Sequence, residues 1–536
     1  MPTDHRPLHS MTRYRIPDWL LLAAFCAFFF FWGLASFGLI GADEPRYAQV
    51  AREMLARNDW VTPVLGGSPW LEKPPLYYWQ AMLAYQLFGI SDWAARLPSA
   101  VDAFVLVFAV YWFLRRFRPG FALDGALMLA SSAGIVGYAR AASMDLPLTV
   151  AFAIAMLAWY AWFESGSRGY LAAFYGSMAI AMLAKGPVAP ALAVVIIAVF
   201  AILERSAEIV WKTLWLPGIL IFSAVGLPWY VMVQIRNPQF FHEFIVEHNL
   251  ARFGTNLYHH PEPFWYYIPV TLLGWVPWSV FVATACVWAV RKFRTRDADS
   301  LNAFLLIWIA VIVVFFSISQ SKLPGYVLPA MPPGIVLLAE YMRERIASKP
   351  RLTVIALHAL LAGALIFSAL VIPYLVLQHR LTWSVALLAP LPVAVTIAAV
   401  TFVALREYGY PALRLITIVP AVLAFGITLR LGAPALDRTL SARPPAAALQ
   451  MVDPHHLPVA VFWVSRETEF GLQFYRNLPM PRYELDQIPD GEHLVVATEG
   501  HERGVDKRAA NRKVTRLGSF AAQKLEYFYV AASPKQ

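Results

Sequence analysis

Long apolar runs separated by short polar breaks dominate the chain up to about residue 430. A run of about twenty apolar residues crosses a hydrocarbon core roughly 30 Å thick as a helix. On that measure the pattern predicts about thirteen spans, near 19–40, 94–114, 120–138, 147–163, 170–184, 187–203, 213–235, 264–290, 301–319, 326–342, 353–376, 382–405 and 412–431. After residue 432 polar positions become frequent. Short apolar or alternating stretches at 459–465, 494–500 and 525–533 predict strands between turn-rich segments. The expected fold is an all-α polytopic membrane domain over 1–431, followed by a small α/β domain over 432–536.

Charge sorts the breaks into two sides. With the N-terminus in the cytoplasm, the inside loops collect clusters such as Arg115, Arg116 and Arg118, then Arg291, Lys292 and Arg294, then Arg343 and Arg345. Short outside loops hold few basic residues, the asymmetry the positive-inside rule describes. The basic start leads into a full-length apolar run followed by Asp43–Glu44, which reads as a retained span rather than a cleaved signal. Two long loops, 41–93 and 236–263, and the polar C-terminal region then fall outside. In the first loop, Glu44–Asn58 sets Tyr47, Val50, Met54 and Leu55 on one helical face, predicting a short helix in the interface. Pro74–Pro75 open a second helix, apolar nearly all round and expected to lie partly buried.

Composition agrees. The chain is 59% hydrophobic and 15% charged, against about 45–50% and 25% in soluble domains. Its net charge of +10 is set by residues flanking spans, so it orients the chain rather than pointing to nucleic acid. The two cysteines, Cys26 and Cys286, lie in apolar runs, which excludes a disulfide framework and a thiol metal site.

The candidate chemistry lies at one membrane face. Asp43, Glu44, Arg46, Glu72, Lys73, Arg140, Asp145, Lys185, Glu247, His248, Arg252, His259, His260 and Lys322 come from several loops yet share that side. Ionisable groups packed against span ends mark a functional site. A transporter would place them near mid-membrane on broken helices, whereas these spans are largely uncharged in their middles. The pattern predicts an enzyme at the outer interface, with one substrate arriving through lipid.

The ordered pieces DEPRYA (43–48), EMLARNDWVTP (53–63), EKPPLYYW (72–79), Arg140 with MDLP (144–147), AKGP (184–187), EHNLARF (247–253) and SKLPGYVLP (321–329) give the chain a specific likeness. It resembles the integral-membrane glycosyltransferases of the GT-C fold that use polyprenyl-phosphate sugars. Within them it is similar to the lipid A aminoarabinose transferases (ArnT-like), relatives of protein O-mannosyltransferases. The resemblance implies transfer of 4-amino-4-deoxy-L-arabinose from undecaprenyl phosphate to a lipid A phosphate, with the active site and C-terminal domain in the periplasm of a bacterial inner membrane. A less anionic surface and resistance to polymyxin and other cationic peptides would follow. It implies catalytic roles for Asp43, Glu72, Lys73 and Asp145, and a donor-phosphate site of Lys73, Arg46, Arg252, Lys322 and Tyr326. Cations fixed there would favour the charge building on the leaving phosphate. Asp43 acts as a base if the acceptor is a hydroxyl, or sits paired with a cation if it is a phosphate. Glu72, His248 and His259 could hold a divalent metal, zinc or similar. No nucleic acid is expected, and the chain is expected to act as a monomer.

Plainer roles compete with these. Asp145 could cap a helix, Lys185 and Lys322 could snorkel to the interface, and Arg140 could be topological. Tyr77, Tyr78, Trp79, Trp265, Tyr266 and Tyr267 read most simply as an interfacial belt. Two other functions stay open. One is transfer of another lipid-linked sugar, mannose or a hexosamine, to protein or glycan. The other is flipping of lipid-linked sugars, which would survive loss of the Lys73 charge.

Overall fold

The computed structural model describes residues 17–251, 262–295, 299–345, 352–378, 390–405, 409–453, 455–510 and 512–533. Each predicted apolar run contains helix, although the run 19–40 leaves helical geometry at Trp32 and residues 382–389 of the run 382–405 lie outside the described residues. Among the described residues six helices are long and apolar enough to cross a membrane alone, and two bent pairs raise the number to eight. Asp18–Phe31, Val188–Leu203 and Pro390–Phe402 are shorter apolar helices. The chain is therefore a multi-pass membrane protein. Bends account for part of the gap from thirteen runs, since composition alone does not register them. Ala122–Ala130 and Ala133–Ala139 meet at 59° around Ser131 and Ser132, whose hydroxyls bond back to the carbonyls of Leu127 and Met128. Such back-bonding competes with the helical ladder and bends it.

The first span ends in a way that shapes everything outside it. Helix Asp18–Cys26 loosens into a π turn, Ala27–Phe31, and the chain leaves helical geometry at Trp32. Helix ends leave carbonyls without partners, and at membrane depth water cannot supply them. Two arginines do. Arg140 donates to the carbonyls of Phe29, Trp32 and Gly33. Arg96 donates to those of Leu34, Phe37 and Gly38. Arg96 is fully buried and also grips Glu44 through both carboxylate oxygens, at 3.1 and 2.6 Å.

Both helices predicted in the first long loop are present, as Asp43–Ala56 and Leu76–Phe88. The first is largely covered by protein. Tyr47, Ala48, Gln49, Val50, Ala51 and Met54 are all buried, because a helix of the C-terminal domain, Arg466–Arg476, packs over it. Arg52 donates to the Phe474 carbonyl at 3.0 Å. The belt reading of Tyr77 and Tyr78 is corrected. Both are fully buried, and the Tyr77 hydroxyl donates to the Ala95 carbonyl at 2.9 Å.

The C-terminal domain is a four-stranded sheet flanked by helices. Its strand order is Val459–Phe462, His493–Thr498, Leu525–Val530, Val514–Phe520, with the first pair parallel and the others antiparallel. The edge strand Val514–Phe520 escaped the sequence reading because none of it is buried: exposed Thr515, Arg516 and Ser519 sit among half-buried positions. Polar bonds lock the domain to the start of the first loop. Gly38 N–H donates to Asp437 and Leu39 N–H to the Tyr475 hydroxyl, both at 2.7 Å. Tyr475 in turn donates to Asp92 at 2.7 Å, and Arg443 bridges Asp92 and Asp437 at 2.9 Å each.

Candidate active site

A cavity of about 1120 Å³ has walls from both domains. Its polar part is lined by Asp43, Arg46, Glu72, Lys73, Asp145, Lys185 and Tyr326, and its apolar part by residues such as Phe29, Val276, Leu365, Ile372 and Phe425. Residues far apart in sequence thus meet in one cavity that also has apolar walls.

Asp43 opens its helix and meets Arg46, one turn on, at 2.5 Å. The cation paired with Asp43 is therefore Arg46. The Arg46 guanidinium stands 5.1, 5.2 and 5.5 Å from the ring centroids of Tyr47, Trp70 and Phe470. Burial works against its charge, but Tyr47, Asp43 and Glu72 around it hold its pKa above the ordinary arginine value. Burial, with Asp43 close by, pushes the Tyr47 hydroxyl well up, so it stays neutral. Lys73 is half-buried in the cavity wall, held by Pro74–Pro75 ahead of helix Leu76–Phe88.

Asp145 begins helix Asp145–Ser165, and Met144 holds the cap position. Its carboxylate does not cap. It forms an ion pair with Lys185, whose ammonium lies 4.4 Å from the centroid of the Tyr326 ring. This pair answers the snorkelling reading of Lys185, whose ammonium is turned into the protein. The segment carrying Tyr326 is pinned by the Tyr267 hydroxyl, which donates to the Leu323 carbonyl and accepts from its N–H. Gly325 lets this segment approach: a Cβ there would stand 2.6 Å from Asp145 Cγ and 2.8 Å from the Tyr138 hydroxyl. Gly325→Ala is thus expected to push Asp145 off Lys185 and lower activity about tenfold to a hundredfold. Rate measurements beside a thermal unfolding curve separate this from general destabilisation.

The remaining predicted residues are placed as follows. Glu72 Oε1 lies 3.8 Å from His248 Nε2. Glu247 pairs instead with His242 at 3.3 Å. Lys322 is buried, donates to the Ser319 carbonyl at 2.6 Å, and is not among the residues lining the cavity. Arg140 lines the cavity while holding the end of the first span. Arg252, His259 and His260 lie outside the described residues. Among the described residues no group of three or more His, Cys, Asp or Glu gathers in a metal-holding arrangement. The sequence reading missed Tyr47 and Tyr138 as wall residues, and also Arg466 and Glu467, which the C-terminal domain contributes. Periodicity marks Tyr47 only as part of a buried face. Arg466 and Glu467 carry no local signal.

Residues 72–231 match the family described as dolichyl-phosphate-mannose-protein mannosyltransferase. The chain is similar to the undecaprenyl phosphate-alpha-4-amino-4-deoxy-L-arabinose arabinosyl transferase of Aeromonas hydrophila, 31% identical over 341 residues, covering 62% of this chain and 60% of that protein. Transferase 2 of Pseudomonas fluorescens with the same description is 30% identical, over 63% of this chain and 58% of its own length. The matched stretch thus spans about 60% of the length of these relatives. The crystal structure of ArnT from Cupriavidus metallidurans bound to undecaprenyl phosphate superposes with a TM-score of 0.76, at 21% identity over 96% of this chain and 99% of that one. Its apo structure gives 0.75. The chain has the GT-C fold of that protein, a bundle of apolar helices carrying a small C-terminal sheet domain.

Proposed function

We propose that this protein moves 4-amino-4-deoxy-L-arabinose from undecaprenyl phosphate to a lipid A phosphate, at the periplasmic face of a bacterial inner membrane. The observation that carries the reading is the cavity itself. Charged residues from distant stretches converge on its polar part, and its apolar walls suit a prenyl chain. The names of the relatives described above give the donor and the arabinosyl transfer. Loop charges support an N-terminus in the cytoplasm, with the cavity and sheet domain on the other side.

The chemistry follows from the charges. An oxygen of the acceptor phosphate attacks the anomeric carbon of the sugar. The bond from that carbon to the donor phosphate oxygen breaks, and polyprenyl phosphate leaves with the electron pair. One phosphate diester is exchanged for another, so no proton need be removed from the acceptor. Lys73 faces the phosphate that gains charge, and a cation fixed in a partly dehydrated site stabilises the transition state more than the ground state. Asp43, anchored to Arg46, faces the sugar, whose ring becomes electron-poor as the bond breaks. The Asp145–Lys185 pair beside Tyr326 holds a second cation in the same cavity.

Glu72 and His248 supply a carboxylate and an imidazole close together, a combination that suits zinc. Such an ion would add positive charge beside the phosphates. The test is a reconstituted assay with the purified protein, undecaprenyl-phosphate aminoarabinose and lipid A, reading product by mass spectrometry. Glycosylated lipid A is expected, falling on treatment with chelator and returning with zinc. A rate indifferent to chelation removes the metal from the reading. Folded protein that makes no product overturns the transfer itself.

A further inference from the structure

The carboxylates lining the polar part of the cavity are nearly all committed. Asp43 is held by Arg46, Glu44 by Arg96 and Asp145 by Lys185, while Glu72 faces His248. Arg466 and Glu467 differ. Both line the cavity and are solvent-exposed, and their contacts with the described residues include no ion pair. They occupy the first turn of helix Arg466–Arg476, where the Thr468 N–H donates to Ser465 at 3.4 Å. Four residues on, on the same helical face as Arg466, Phe470 lies against the Arg46 guanidinium at 5.5 Å. The turn leading in begins at Trp463, a non-glycine residue at φ 52°. Such a setting persists only where the surroundings over-determine it, and it clusters at functional sites.

We propose that Arg466 and Glu467 read the two charges of the product: Arg466 takes the anionic acceptor phosphate, and Glu467 the ammonium of an amino sugar. This rests on the transfer reading given above. A phosphate glycosylated by an amino sugar carries a negative and a positive charge a few bonds apart. The neighbouring cation and anion on this turn match that pattern. A neutral sugar would leave Glu467 with nothing to bind. The pair therefore selects amino sugars over neutral ones, and it selects phosphate acceptors.

Kinetics in proteoliposomes test this, with lipid A as acceptor and two donors, the free amino sugar and its N-acetylated form. Arg466→Ala is expected to raise the KM for lipid A about tenfold, with the donor KM moving less than twofold, as for loss of one charge-assisted hydrogen bond. Wild type is expected to prefer the free amine, and Glu467→Gln to erase that preference. Arg503→Ala, elsewhere on the same domain, should change neither. The proposal falls if Arg466→Ala leaves the acceptor KM at the wild-type value, if wild type has no preference between donors, or if Glu467→Gln keeps it. Absence of any product from wild type would instead take down the transfer reading and this one with it.

Discussion

Lys73→Ala is expected to lower transfer by about two to three orders of magnitude, the usual cost of removing one preorganised group from developing charge. The lysine is half-buried in the cavity wall, in the stretch EKPP just before helix Leu76–Phe88. Two prolines behind it restrict the backbone, so its position is set before substrate arrives. Its charge should matter more to the leaving phosphate than to the bound donor, because negative charge grows as the bond breaks. The effect is therefore expected in kcat more than in KM. Lys73→Arg should recover part of the rate, since it restores charge without the same point geometry. Initial rates in proteoliposomes decide the matter. Activity within threefold of wild type for Lys73→Ala would assign the donor phosphate to other cations of the cavity.

The second large effect concerns stability. Arg96→Ala is expected to destabilise the protein by about 3–5 kcal/mol, because it strands a buried charge. Arg96 is fully buried and ties Glu44 to the carbonyls of Leu34, Phe37 and Gly38. Glu44 also accepts from the N–H groups of Ile40 and Ala142, at 2.8 and 2.7 Å. Losing the arginine leaves a carboxylate and several backbone acceptors in a dry environment. Removing both charged partners should cost less than removing one, so Arg96→Met with Glu44→Gln is expected to unfold at a higher temperature than Arg96→Ala. Thermal unfolding in detergent provides the comparison. Equal or lower stability of the double variant would mean that the carbonyl contacts, rather than the ion pair, dominate this corner.

Arg96 also shows where a sequence stops being informative. It lies near the start of an apolar run, where an arginine reads as an ordinary flanking charge, and only the fold reveals the helix end it closes. The helices themselves were legible, because burial in lipid writes a continuous apolar run into each of them. Asp43, Arg46, Glu72, Lys73 and Asp145 were legible as candidates, since charge against a span end is conspicuous, and they line one cavity; Tyr326 entered only through the family resemblance. Which charges pair was not legible. Asp145 read as either a helix cap or a catalytic group, and its carboxylate pairs with Lys185, 40 residues on in sequence. The bends within spans, the edge strand Val514–Phe520 and the contribution of Arg466 and Glu467 all depend on contacts between segments far apart. Local periodicity cannot encode these.

The two-domain wall of the cavity has a consequence for how the protein is made. A nascent chain that has emerged to residue 345 already carries Asp43, Lys73, Asp145, Lys185 and Tyr326, the charged floor of the site. The far wall is not yet synthesised: Leu365, Ile372, Phe425 and then Arg466 and Glu467 follow later. The bonds that steady Gly38 and Leu39, just before Asp43, wait for Asp437 and Tyr475. Synthesis therefore delivers the reactive groups first and their enclosure last, and a prematurely terminated chain would display the charges without the chamber that puts them to use.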